Sequence, residues 1–110
     1  MGLIEDALKK RLADAEEKAL MFLRSCGYQT TAMLRGYVRW ILDTAYSGRP
    51  LVETREARRT HLRGSGTSRK YARAALINAR MILVEQPGQF RRGRGTRVRV
   101  TPLFSRVSGA

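Results

Sequence analysis

Apolar residues in the first quarter of the chain recur every three or four positions, at Leu8, Leu12, Ala15, Ala19, Phe22 and Cys26. At 3.6 residues per turn they share one side of a helix over residues 3 to 26, with Glu5, Asp6, Lys9, Lys10, Asp14, Glu17 and Lys18 opposite. Gly27 is placed to end it. The stripe serves either packing within the domain or pairing with a second copy, and Cys26, lying on it, is expected to be packed.

A second helix begins after a Thr30 or Thr31 cap and turns Leu34, Val38, Ile41, Leu42 and Ala45 inward, with Arg35 and Arg39 one turn apart outside. Tyr37 and Trp40 read as core or rim residues of that helix. Ser47-Gly48-Arg49-Pro50 stops it, through glycine's freedom and proline's missing donor. Leu51-Val52 is a very short strand, and a third helix runs from about Thr54 to Leu62 with Arg55, Arg59 and Arg63 at i, i+4 and i+8.

Arg63-Gly64-Ser65-Gly66 supplies a turn, after which Thr67 or Ser68 caps a fourth helix reaching about residue 82. On that helix Arg69, Lys70, Arg73, Ile77 and Arg80 fall within one arc, and Ala72, Ala75, Leu76, Ala79 and Ile82 on the other side. The first arm of a hairpin follows over Leu83 to Gln86, broken at Pro87-Gly88 and resumed at Gln89-Phe90. The second, Thr96 to Thr101, alternates Val98 and Val100 with Arg97 and Arg99, as a strand with one buried side does. Gly93 and Gly95 allow the turn between them. Pro102 ends the pairing, and residues 103–110, without a clear pattern, are expected to fray.

Composition adds a direction to this pattern. The 110 residues suit one domain with a modest core. They carry 22 Lys+Arg against 9 Asp+Glu, a formal net charge of +13, which repels itself in the folded state unless a polyanion or salt screens it. Residues 1 to 22 hold 4 basic and 5 acidic side chains, net −1, and residues 23 to 110 hold 18 basic and 4 acidic, net +14. Only Lys9, Lys10, Lys18 and Lys70 are lysines; the rest are arginines, whose planar fork grips phosphate or a guanine edge through two hydrogen bonds, although high genomic G+C or a hot habitat gives the same bias.

The order helix, turn, basic helix, arginine-tipped hairpin resembles the winged helix-turn-helix family, over roughly residues 30 to 102. The resemblance implies a mainly α fold with a C-terminal β-hairpin. Residues 1–27 would then be an added long N-terminal helix, 28–102 the winged domain and 103–110 a tail. It further implies a small archaeal, viral or plasmid-type regulator of transcription that is dimeric and binds double-stranded DNA. The helix at about 68–82 would lie in the major groove, presenting Arg69, Lys70, Arg73 and Arg80. The wing at about 89–100 would grip backbone or minor groove through Arg91, Arg92 and Arg94. Ser68 opens that helix, Arg55, Arg59 and Arg63 line the preceding one, and Arg97 and Arg99 the second arm, so all join the candidate DNA-binding set. Arg73 is expected to set sequence preference, Lys70 to meet phosphate and Arg92 to hold any duplex alike.

An RNA-binding or ribosome-associated role is the alternative, since His61-Leu62-Arg63-Gly64-Ser65-Gly66 followed by Arg69-Lys70 is loosely similar to the turn of a winged-helix protein of the small ribosomal subunit. A nonspecific architectural role on DNA is another. Enzymatic chemistry has little to stand on: His61 is the only histidine and Cys26 the only cysteine, and no ligand spacing calls for a metal. Gly64-Ser65-Gly66 lacks the lysine of a phosphate-binding loop. No cofactor is expected. Without a secretory leader or an apolar run near 20 residues, no membrane role is expected, and the location is cytoplasmic, with the nucleoid.

Overall fold

The computed structural model describes residues 2–88 and 95–109, with Tyr46 by its backbone alone. Helix α1 spans Leu3–Ser25, and its buried face is Leu12, Ala15, Ala19, Leu20 and Leu23. Phe22 packs against it half-buried, whereas Leu8 is 40% exposed and Cys26 is exposed. Cys26 is therefore not a packed residue: it caps α1 where the chain already leaves the helix. Tyr28 N donates to the Leu23 carbonyl at 3.0 Å and Gly27 N to that of Arg24 at 2.9 Å, with Gly27 left-handed at φ 93°.

Helix α2, Ala32–Tyr46, starts where the Thr31 hydroxyl accepts from Leu34 N at 3.0 Å. It supplies the centre of the core through Leu34, Tyr37, Val38, Trp40, Ile41 and Leu42, all buried. Ala45, expected inward, is exposed in the last turn. The Tyr37 and Trp40 rings meet edge to face with centroids 5.2 Å apart, an arrangement that stabilises beyond the area it buries. Gly36 has a packing reason to stand inside this helix: a Cβ there would meet the His61 carbonyl oxygen, so the turn before α4 sits directly on α2.

Strand β1, Leu51–Val52, leads to α3, which is shorter than expected at Arg55–Arg59 and is capped by the Thr54 hydroxyl on Ala57 N at 3.1 Å. Arg63 lies beyond it in the turn. Helix α4, Gly66–Asn78, begins earlier than expected because Ser65, not Thr67 or Ser68, takes the cap, accepting from Ser68 N at 3.0 Å. It also ends earlier. Arg80 adopts a left-handed conformation at φ 63°, with Arg80 N donating to Ile77 O and Met81 N to Leu76 O, each at 2.9 Å. Met81 then turns into the core, and Ile82 is the first residue of a strand rather than the last of a helix.

Strands β2, Ile82–Gln86, and β3, Arg97–Val100, pair antiparallel, and β1 pairs with the other edge of β3, giving a three-stranded sheet in the order β1-β3-β2. Val98 lies opposite both Leu51 and Val84 and is buried; Arg97 and Arg99 are exposed, as alternation predicts. The register slips between Val84 and Gln86. Residues 103–109, expected to fray, are ordered instead: α5, Pro102–Ser108, packs on α1 and buries Phe104 and Ser108. Proline at its first position, the 3.6-residue spacing of Phe104, Val107 and Ser108, and left-handed Gly109 closing its end explain the helix. The architecture is thus mainly helical with a small antiparallel sheet.

Candidate nucleic-acid interface

Helix α4 buries Ala72, Ala75, Leu76 and Ala79, small side chains that seat it close to α2. The opposite side follows from the helical wheel: Thr67, Lys70, Tyr71, Ala74 and Asn78 are exposed, with Ile77 half-buried at its margin. Lys70 is the one cation on this surface. The remainder is neutral, small or hydrogen-bonding, and Tyr71 is 43% exposed.

Two arginines expected beside Lys70 are turned to other uses. Arg69 Nη1 donates to the carbonyls of Leu62 at 3.2 Å and Gly64 at 2.8 Å, so it ties down the turn before α4. Arg73 Nη1 lies 2.6 Å from Oε2 of Glu53, whose side chain is only 7% exposed. The same oxygen accepts from Tyr37 Oη at 2.7 Å. Glu53 also holds the foot of the hairpin, because its N–H donates to the Thr96 carbonyl at 2.8 Å and a Cβ at Gly95 would meet its own carbonyl oxygen. Glu53 thereby joins α2 and α4 through its buried carboxylate and the base of the β2–β3 connection through its backbone. Arg73, expected to read bases, is committed to that joint.

The charges at this joint follow from burial. Burial, with the Glu53 carboxylate as acceptor, pushes the Tyr37 phenol far above its ordinary value, and so keeps it a donor. Burial works against the charge of Arg73, but the hydrogen bond and charge of Glu53 outweigh it, and the guanidinium is held above its ordinary value.

The other candidates divide in two. Arg55, Arg59 and Arg63 are exposed, as is Arg80, and none of the four, nor Lys70, has an ion-pair partner among the described residues. Arg97 and Arg99 instead share Glu85, with Nε atoms 3.0 and 3.6 Å from its carboxylate. The Ser68 hydroxyl pairs with Ser65 at 2.9 Å. Arg91, Arg92 and Arg94 lie outside the described residues, as do Gln89, Phe90 and Gly93. Residues 55 to 100, from α3 through β3, contain 13 basic side chains and two acids, Glu56 and Glu85, so this stretch is cationic whichever way individual side chains turn.

Thr67, Tyr71, Ala74 and Asn78 escape a search for charge. Their signal in the sequence is geometric, since they lie across the wheel from the alanine face.

Beside α3 a cleft of about 350 Å³ is walled by Trp40, Asp43, Arg49, Thr54, Glu56 and His61. His61 Nε2 lies 2.8 Å from Asp43 Oδ2, which anchors the turn to α2. Among the described residues no group of His, Cys, Asp or Glu is arranged to hold a metal, and no helix is long and apolar enough to cross a membrane. Comparison with protein-family models, curated proteins and solved structures finds no match to this chain.

Proposed function

We propose that the chain is a winged helix-turn-helix protein that binds duplex DNA with a sequence preference and acts as a regulator of transcription at the nucleoid. The element order α2-β1-α3-α4-β2-β3 and the sheet order β1-β3-β2 support this reading of the fold. The observation that carries the function is the outer face of α4. It combines one cation with neutral groups of the kinds that read base edges, in a stretch from residue 57 to residue 84 without a single acid.

In this reading α4 enters the major groove, about 12 Å wide and able to take one helix. Asn78 can make two hydrogen bonds to an adenine edge, Thr67 one to any base, and Ala74 can touch a thymine methyl group. Lys70 meets phosphate. The unpaired Arg55, Arg59, Arg63 and Arg80 supply further phosphate contacts, and Arg91, Arg92 and Arg94 keep the wing role that the resemblance gives them. Arg69 and Arg73 act indirectly, by fixing where α4 starts and how it lies against the hairpin. Arg80 adds support: α1 closes with the same hydrogen-bond pattern as α4 but uses Gly27, so in α4 an arginine stands where glycine would carry less strain.

Selection of bound sequences from mixed random pools of duplex DNA and structured RNA tests the reading. Enrichment of a duplex motif, with Asn78→Ala relaxing the preference at one or two positions, is the expected result. Enrichment of folded RNA would replace it with the RNA-binding alternative. Salt-sensitive binding with no enriched motif would reduce the protein to an architectural DNA binder.

A further inference from the structure

We propose that two copies of the chain associate through the first turns of α1, antiparallel, with Ile4 of each packed against Leu8 of the other. Every residue from Leu3 to Arg11 is exposed, Ile4 at 86% and Leu3 at 89%. Ile4 and Leu8 stand two turns and one turn before Leu12 on the edge of the helix that Leu12 and Ala15 carry into the core. The face that packs α1 against its own domain therefore continues uncovered toward the N-terminus.

The charges beside this strip select its occupant. Glu5 and Lys9 lie one turn apart along one border, and neither has an ion-pair partner among the described residues. In an antiparallel pair, borders of the same kind face each other, so Glu5 meets Lys9 of the second copy and Lys9 its Glu5. In a parallel pair that border faces the partner's Leu3 and Ala7 instead, and neither ion pair forms. On the other border Leu3 and Ala7 are uncharged and let the helices close, and the exposed Arg11 at its far end lies beyond the start of the partner's helix. The acid-before-base order is thus complementary to its own reversed copy.

The strip is short. From Leu3 to Arg11 it measures roughly 12 Å at 1.5 Å per residue, and offers much less than the roughly 800 Å² per partner of a lasting complex. Association is therefore weak and reversible. It stands apart from the nucleic-acid reading and is tested without any nucleic acid.

Sedimentation velocity of the full chain from about 5 to about 500 μM reads it directly. The sedimentation coefficient is expected to rise toward that of a dimer, Ile4→Glu to remain monomeric, and Glu5→Lys or Lys9→Glu each to raise the dissociation constant roughly tenfold. The double variant E5K/K9E, which re-forms both contacts only in an antiparallel pair, is expected to return to the parent value. All four positions replaced or paired lie outside the core, so thermal melting should not move at low concentration. A monomer throughout the range overturns the proposal. So does a dimer that ignores the swaps, or one that the double variant fails to restore.

Discussion

Arginines on α2 and on the stretch from α3 to α4 are the same residue in opposite circumstances. Arg35 lies 3.2 Å from Glu16 and 2.8 Å from Glu17, and Arg39 lies 3.3 Å from Asp43 and 3.9 Å from Glu16. The Arg35 hydrogen bond holds Glu17 below its ordinary value, and Glu17 raises Arg35 in return. Arg55, Arg59, Arg63 and Lys70 have no such partner among the described residues. Acids are few and mostly early in the chain, so the first two helices neutralise each other while the excess is left to later elements. The excess behind the net +13 is thereby concentrated late in the chain, where α4 and β3 carry basic side chains and no acid.

Arg73 is the boundary case, and replacing it separates the two classes most sharply. Arg73→Ala leaves the Glu53 carboxylate, 7% exposed, with Tyr37 as its remaining side-chain donor. Removing one partner of a buried pair costs about 3–5 kcal/mol, readable as a fall in the urea midpoint with little change in slope. Full stability with reduced duplex affinity would instead return Arg73 to the reading surface.

Tyr37 extends the comparison to pH. Its ordinary value is 10.0, and burial first, then the charge and hydrogen bond of Glu53, raise it in the folded protein. A raised value favours the protonated folded state, so this contribution is complete below about pH 10 and is lost as pH climbs further. Stability should then fall by up to about 1.4 kcal/mol per pH unit beyond what Tyr37→Phe shows. Parallel curves for the two proteins across the alkaline range would contradict this. On α1 the sign reverses: lowered Glu17 contributes above its ordinary value of 4.5 and loses that contribution as pH falls.

Much of this division could be read before the structure. A threonine cap at 30 or 31, Tyr37 and Trp40 as core or rim residues, the two-residue β1 and the alternation of β3 all follow from local chemistry that no distant contact overrides. Arg73 does not. A helical wheel puts it in the arc of Lys70, and its fate is decided by Glu53, twenty residues earlier, arriving from β1. The end of α4 was hidden for a related reason: Arg80 and Met81 continue the helical pattern, and only the sheet's demand for Ile82 breaks it. Helix α5 is not legible by periodicity because seven residues carry too few apolar positions for a period, although proline at the first position and a glycine past the last mark its ends.

Arg80 offers a smaller and opposite effect. A left-handed arginine at φ 63° carries backbone strain that glycine does not. Arg80→Gly should therefore stabilise the fold by about 1 kcal/mol, while lowering the salt slope of duplex binding by about 1. A gain in stability with unchanged binding would leave the strain without the function assigned to it.

Finally, Arg35 and Lys70 test the comparison at its weakest point, where both members are exposed. Arg35→Ala breaks contacts on a surface that water and salt already screen, so it should cost about 0.2–1 kcal/mol and leave nucleic-acid binding alone. Lys70→Ala removes no contact that holds the fold, so stability should stay within about 0.5 kcal/mol. Its effect belongs in binding, as one fewer counterion released and a slope smaller by about 1. The two replacements are thus expected to cross: one moves the melting curve and not the salt titration, the other the reverse. Equal slopes for both would mean that partnered and unpartnered cations serve the duplex alike, and that the face of α4 is an ordinary solvated surface.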